Sequence, residues 1–339
     1  MPVQYEEGIL REHLRVRQQA GLFDVSHMGE VTVRGERAAE CLDYLVTGRP
    51  SSLAPGKALY SVLCQEDGGT VDDLIVYRDG PEDFFLCVNA SNREKDVAWL
   101  AAHALPFGVD VQDISDSVGL LALQGPRAEA ILSAVFGETV SAQPAFTFTQ
   151  VNLAGFPVRL SRTGYTGERG FELYVPVEGL FPLAEMLWEY GQAEGLGMAG
   201  LGCRDSLRLE AGLSLYGHEL SSTISPVQAR LGWTIDWEKP GGFVGREALR
   251  KQKEEGMDRQ VIFFRTRQRR ILREGTPVEG PSGEVGQVLS GTLSPVLNEA
   301  IGSALVSVAV LREKSPLAAI LRGSRIELEK VRPPFHTLS

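Results

Sequence analysis

Two adjacent acids, Asp72 and Asp73, interrupt the run Gly68-Gly69-Thr70-Val71-Asp72-Asp73-Leu74-Ile75-Val76-Tyr77, whose other residues suit a buried strand. A carboxylate facing a pocket can accept a proton, orient an attacking amine or balance a developing cation. Side chains alternate across a strand, so Val71, Asp73, Ile75 and Tyr77 share one face while Thr70, Asp72, Leu74 and Val76 share the other. The pattern by itself favours a plainer role, a hairpin entry turned by Glu66-Asp67-Gly68-Gly69 whose acids are solvated. A second polar stretch, Gly164-Tyr165-Thr166-Gly167-Glu168-Arg169-Gly170-Phe171-Glu172, holds three glycines that let a ligand approach the main chain. Glu172 points away from Phe171 and Leu173, toward either solvent or a ligand. On the helix Arg204 to Gly212, Arg204, Leu207, Arg208 and Ala211 share a face. Two arginines there require an acid: Glu210, another internal carboxylate, or a bound molecule.

The elements that would position these residues form a repeat. Glu30-Val33 is a strand, Gly35 to Val46 an amphipathic helix, and Ala58 to Cys64, the acid-bearing run and Asp83 to Asn89 are three further strands. Ser91 with Glu94 has the spacing of a capping box, ahead of a helical stripe at Val97, Leu100, Ala101 and Ala104. Val109-Asp110-Val111 closes the unit. The order recurs with strand Leu120-Leu123, a helix opened by Gly125-Pro126 and stopped before Gly137, strands Phe146-Leu153, Phe156-Arg162 and Gly170-Val175, and a helix over Phe181-Tyr190. Two α+β units of one design are expected, and the hairpin carrying Asp73 corresponds roughly to the one holding Gly164 to Glu172, so two polar hairpins could face one another. A charged helical segment, Glu6 to Leu14, precedes them. Beyond Trp233 the composition changes: a helix ends near Glu255, and the short runs Gln260-Phe264, Gly286-Ser290, Ala300-Ser307 and Arg325-Val331 read as a separate β-barrel or sandwich.

With 339 residues, 43% of them hydrophobic, the chain exceeds what one core organises, and two or three domains follow. A net charge of −10 argues against a nucleic-acid footprint. The densest basic run, Arg265-Thr266-Arg267-Gln268-Arg269-Arg270, is a solvated loop or a small docking site for an acidic partner. Cys41, Cys64, Cys87 and Cys203 form no C-x-x-C pair, which predicts reduced thiols and a cytoplasmic setting. No apolar run has the length of a membrane span or the form of a signal peptide. The histidines are isolated, so no metal site is expected. Dinucleotide, Walker, nucleophile-elbow and zinc patterns are absent, and any chemistry rests on carboxylates, tyrosines and arginines around a concave site.

Several long motifs in series now carry a resemblance. Phe23-Asp24-Val25-Ser26-His27-Met28-Gly29, Gly68 through Val76, Val88-Asn89-Ala90-Ser91-Asn92 through Lys95-Asp96, Ser161-Arg162-Thr163-Gly164-Tyr165-Thr166-Gly167-Glu168, Gly200 through Glu210, and Ser290-Gly291-Thr292-Leu293-Ser294-Pro295 resemble, in order over nearly the whole chain, the glycine cleavage T-protein family of tetrahydrofolate-dependent aminomethyltransferases. The resemblance implies an α+β fold, a three-domain cloverleaf around a central folate channel, with two ferredoxin-like units and a C-terminal β-barrel. Its divisions would be residues 1–31 with 114–225, residues 32–113 carrying the catalytic aspartate, and residues 226–339 as linker helix and barrel. The implied reaction moves a methylene group from an aminomethyl-dihydrolipoyl arm on the H protein to tetrahydrofolate, with release of ammonia, and involves neither nucleic acid nor membrane.

Matched position by position, Asp73 falls on the family's catalytic aspartate, Glu172 and Arg204 on its polar folate contacts, Met28, Tyr60, Ile75, Tyr77, Tyr165 and Trp233 on its pocket lining, and Asn89 on a neighbouring polar position. Asp72 is then expected to be a structural acid bonded to the turn. The sequence departs from the family in beginning within a motif, in Gln228 and Cys203, and in a tail from Pro333 to Ser339 without basic character. Two other readings share this cradle: a folate-dependent demethylase acting on another amine or sulfur donor, and a folate-binding maintenance factor. The second carries a K-G-C-Y-x-G-Q-E signature, where this chain has Lys239-Pro240-Gly241-Gly242-Phe243-Val244-Gly245 without the cysteine.

Overall fold

The computed structural model describes residues 1–138 and 142–335, so the end of the tail, residues 336–339, lies outside them. The chain opens with α1 (Ile9–Gln18) and β1 (Ala20–Asp24). The first unit follows as β2 (Gly29–Arg34), α2 (Ala38–Leu45), β3 (Lys57–Cys64), β4 (Thr70–Arg78), β5 (Asp83–Val88), α3 (Arg93–Ala104) and β6 (Asp110–Asp113), its sheet ordered β3-β4-β5-β2-β6. The second is β7 (Val118–Gln124), α4 (Ala128–Phe136), β8 (Phe148–Leu153), β9 (Phe156–Ser161), β10 (Gly170–Pro176), α5 (Val177–Gly191) and β11 (Leu196–Met198). Its sheet runs β11-β1-β7-β10-β9-β8, the same arrangement with β1 inserted between β11 and β7. Both are ferredoxin-like α+β units. By strand position β4 corresponds to β9 and β5 to β10, so Asp73 and Glu172 stand on non-equivalent strands of the repeat.

Alternation explains how the layers assemble. Leu74, Val76, Leu86 and Val88 turn to one face and pack against Cys41, Leu42, Leu45 and Leu100 of the first unit's helices. Leu121, Leu123, Leu160 and Leu173 do the same against Ile131, Leu132, Leu183 and Leu187 in the second. The remaining faces meet each other through Tyr77, Phe85, Phe148 and Tyr174, whose rings contact edge-on at 5.1 to 5.7 Å. Each such aromatic pair adds about 0.5–1.5 kcal/mol beyond simple burial. Helices therefore cover the outside while the two sheets stack inside.

Next come α6 (Leu201–Ala211) and α7 (Arg246–Glu255), then β12 (Arg259–Arg265), β13 (Pro277–Gly280), β14 (Gly283–Ser294), β15 (Glu299–Ser307), α8 (Val308–Arg312), β16 (Leu317–Leu321) and β17 (Ser324–Val331). The six strands close a barrel ordered β12-β15-β14-β13-β16-β17. Helix α6 is tied to it by Arg208, which donates to Ser290 Oγ at 2.8 Å, to Glu219 at 2.7 Å and to Asp205 at 2.9 Å. Glu210 is not the arginines' partner; it instead pairs with His13 and Arg17 of α1, both at 2.9 Å. No described helix is long and apolar enough to cross a membrane. All four cysteines are free and buried.

Two local expectations are corrected. Helix α3 starts after a tight turn, Ala90–Asn92, and its cap is Asn92 without a side-chain cap bond, so the Ser91–Glu94 box does not form. Asp72 does not bond to the turn at Glu66–Gly69, where Asp67 caps Gly69; it reaches the opposite direction, to Asn89 and Asn92.

Candidate active site

A cavity of about 680 Å³ opens between the two sheets, α6 and the segments around Ser214 and Trp233. Met28, Tyr60, Asp73, Ile75, Asn89, Tyr165, Glu172, Arg204 and Trp233 all line it. Tyr77 does not. It is fully buried between the sheets, its hydroxyl 3.3 Å from Thr163 Oγ1 and 3.1 Å from that of Tyr174. Four residues along the strand from Asp73 amount to ~13 Å, far enough for sheet-on-sheet packing to wall the ring off.

On one wall, Asp73 Oδ2 accepts from the Tyr60 hydroxyl and Oδ1 from Asn89 Nδ2, each at 3.0 Å. Burial, reinforced by the neighbouring charge of Asp72, pushes the Asp73 carboxyl up to about 7, although the bonds from Tyr60 and Asn89 pull the other way. It can thus hold or release a proton near neutral pH. The phenol of Tyr60 is raised by burial and then by Asp73, so it stays a donor. Its ring lies 5.8 Å from that of Trp233, nearly parallel at 28°, and Trp233 stands 71% exposed at the mouth.

On another wall, Glu172 on β10 accepts from Thr163 Oγ1 at 2.5 Å. Burial raises its carboxyl, opposed by the Thr163 bond and the charge of Arg204. Arg204 rests its guanidinium 4.6 Å from the centre of the Tyr165 ring and makes no ion pair among the described residues. The loop between β9 and β10 is fixed by Gln124, which bonds Thr163 and Thr166. A side chain at Gly164 or Gly170 would collide with the Gln124 amide, which explains two of the glycines by packing rather than by ligand approach. Arg17 of α1 holds the same loop through Thr166 O at 2.7 Å and Glu168 at 2.8 Å, while Tyr165 donates to Ser214 O.

Sequence reasoning missed His27, Thr163 and Tyr216 as parts of this wall. Thr163 follows Ser161 at strand period, a signal that it shares a face with the site, whereas His27 and Tyr216 arrive from loops and carry no such mark. His27 is lowered by burial and then by Arg204, and is therefore neutral at physiological pH. Gln228 is absent from the cavity: it closes a turn with Ser225 and reaches Asp258. Of the basic run, Arg265 and Arg267 are held by Glu329, and Arg269 and Arg270 are exposed. Among the described residues no three His, Cys, Asp or Glu side chains are grouped to hold a metal ion.

The arrangement suits a flat, hydrogen-bonding heteroaromatic molecule. Glu172 offers a hydrogen-bond acceptor, Tyr60 and Trp233 offer ring faces, and Asp73 offers a carboxyl able to exchange a proton near neutral pH. The volume lies within the roughly 300–1,000 Å³ of small-molecule sites.

The GCVT N-terminal domain family matches residues 1–239 and the glycine cleavage T-protein C-terminal barrel domain matches residues 259–336. An aminomethyltransferase of Geobacillus kaustophilus is 45% identical over 337 residues, covering 99% of this chain and 92% of that protein. One of Desulforamulus reducens is 44% identical over 336 residues, with 99% and 92% covered. The crystal structure of the glycine cleavage system aminomethyltransferase T from Bartonella henselae superposes with a TM-score of 0.92 at 34% identity, covering 99% of this chain and 91% of that one.

Proposed function

We infer that this chain, which belongs to the glycine cleavage T-protein family, is an aminomethyltransferase of the glycine cleavage system. The acceptor proposed for the cavity is tetrahydrofolate, and the donor is the aminomethyl group carried on the lipoyl arm of an H protein. The observation that carries the reading is Asp73: a buried carboxylate raised to about 7, held by Tyr60 and Asn89, and presented to a cavity whose other wall carries Glu172 and Arg204.

The donor set fits the folate. Glu172 is positioned by Thr163 and would accept paired N–H donors of the pterin; Arg204, half-buried and without an ion pair among the described residues, would meet a carbonyl or carboxylate. Tyr60 and Trp233 would flank the aminobenzoyl ring, with Met28 and Ile75 as apolar floor and Tyr165 held by Ser214. Tetrahydrofolate supplies the attacking nitrogens. Asp73 orients the attacking N–H, balances positive charge as the carbon–nitrogen bond forms, and takes up the proton that the nitrogen loses; its raised pKa suits that exchange at neutral pH. The methylene carbon ends bonded to both folate nitrogens as its bonds to the amine nitrogen and to sulfur break, and the two protons the folate nitrogens lose leave on ammonia and on the dihydrolipoyl thiol of the H protein.

The domain division proposed is residues 1–31 with 114–225, residues 32–113, and residues 226–339; the two sheets and the barrel favour it, save that β2 (Gly29–Arg34) straddles its first boundary. Exposed Arg269 and Arg270 are the proposed contact for an acidic H protein, and free buried thiols support a cytoplasmic setting. The test is incubation with tetrahydrofolate and aminomethylated H protein, following ammonia and methylenetetrahydrofolate. Stoichiometric appearance of both is expected; folate binding without turnover, or turnover only of a free methylamine or sulfur donor, refutes the assignment.

A further inference from the structure

Behind the wall that carries Asp73, two more buried carboxyls follow it into the protein. Asp72 points through the sheet to the start of α3, and Asp96, in the first turns of that helix, faces it. Both are 0% exposed. Asp72 accepts from the Asn89 backbone N–H at 3.1 Å, Asn89 Nδ2 at 2.8 Å and Asn92 Nδ2 at 2.7 Å. Among the described residues Asp96 finds no donor on either oxygen, and the group its carboxyl interacts with is that of Asp72. Two neighbouring carboxylates in a dry interior cannot both stay charged. Asp72, with three N–H donors beside a helix N-terminus, is built to keep the charge. Asp96 therefore carries the proton and donates it to Asp72.

That anion bears on the site through Asn89. Its Nδ2 lies 2.8 Å from Asp72 Oδ1, 3.0 Å from Asp73 Oδ1 and 3.1 Å from the Asp73 carbonyl. With Asp72 charged, the amide can present only its NH₂ edge to Asp73. We propose that Asp96 is a positioning residue for aminomethyl transfer: a neutral acid that hydrogen-bonds to Asp72 and so keeps it the anion that fixes Asn89 on Asp73. The inference rests on Asp73 being the catalytic carboxylate.

Burial and then the bond to Asp72 push the Asp96 carboxyl up to about 10, in keeping with a proton held across the working range. The other titratable groups facing the cluster are Lys95 on the same helix, Tyr60 on β3 and Tyr165 from the loop before β10. Lys95 donates to Val71 O and lies 4.0 Å from the centre of the Tyr216 ring; its charge opposes the rise at Asp96 but is outweighed by burial and Asp72.

The experiment measures kcat against pH for the wild type, Asp96→Asn and Asp96→Val, with Asp73→Asn alongside. Asparagine keeps an N–H for Asp72, and its acid limb is expected within about 0.3 pH unit of wild type. Valine removes the donor, Asn89 is no longer fixed on Asp73, the Asp73 carboxyl holds its proton more tightly, and the limb is expected to move up by about one unit with KM for folate unchanged. A limb that stays in place in the valine variant, or an asparagine variant as shifted as the valine one, overturns the proposal. Infrared difference spectra at pH 8 decide it even if the valine variant does not fold: a neutral carboxylic carbonyl band present in wild type and missing from Asp96→Asn is expected, and its absence from wild type overturns the inference. An active Asp73→Asn enzyme strikes the catalytic reading instead and leaves the infrared result standing.

Discussion

Asp73→Asn is expected to be inactive and, above neutral pH, more stable than the wild type. The carboxyl rises from 3.8 to about 7 on folding. Between those values the folded chain binds the extra proton, so wild-type stability falls as pH rises through the window and levels off above it. At about 1.4 kcal/mol per pH unit, the full contribution is about 4 kcal/mol against the folded state at pH 8. Asparagine carries no such charge. Its carbonyl can accept from Tyr60 in place of Oδ2, but its NH₂ then confronts Asn89 Nδ2, which costs about 1–2 kcal/mol at every pH. The net expectation is a variant about 1–2 kcal/mol less stable than wild type near pH 4 and about 2–3 kcal/mol more stable at pH 8. Urea unfolding of both proteins at the two pH values measures this, and turnover with aminomethylated H protein should fall by roughly 10²–10⁴-fold with folate affinity kept. A variant less stable than wild type at pH 8, or one retaining a tenth of the activity, refutes the reasoning.

Glu210→Gln removes an anion held near 2 by His13, Ser294 and Arg17, whose bonds outweigh its burial; that contribution is present above pH 4.5, is lost as pH falls toward 2, and amounts to about 3 kcal/mol in urea unfolding at pH 7. Thr163→Val leaves Glu172 without its hydroxyl donor and should weaken folate binding about tenfold in calorimetry, with Asp73's acid limb unmoved. Trp233→Ala strips the exposed ring from Tyr60 and should raise KM for folate several-fold while kcat changes little.

Alternation within β4 was enough to put the two acids on opposite faces: Asp73 and Ile75 reach the cavity while Val76 reaches the helices, and Leu74, packed on the helices, borders the cavity as well. The repeat was legible because each unit spells out its strands and helices in order. Strand β1 was not, since Ala20–Asp24 is five residues of which only the pairing with β7 and β11 makes a strand. Strands β13 and β16 are as short and gain their identity from closing the barrel. Asp72 could not be assigned from local spacing, because its donors lie 17 and 20 residues away and are delivered by the β5–α3 connection. The same connection defeated the capping box: the turn before α3 moves the cap to Asn92, whose amide is committed to Asp72. Tyr77 obeyed the alternation yet missed the cavity, since a face shared along a strand is not a shared depth between two sheets.

The insertion of β1 between β7 and β11 has a consequence for how the chain comes off the ribosome. Strand β1, Ala20–Asp24, has no sheet neighbour until Val118–Gln124 appears and is flanked on its other side only when Leu196–Met198 arrives. The sheet from Gly29 to Asp113 needs nothing outside itself for its pairing and can close while β1 waits. Synthesis thus delivers the wall bearing Asp73 early and its counterpart bearing Glu172 late, and in the interval the unpaired apolar strand is open to wrong partners.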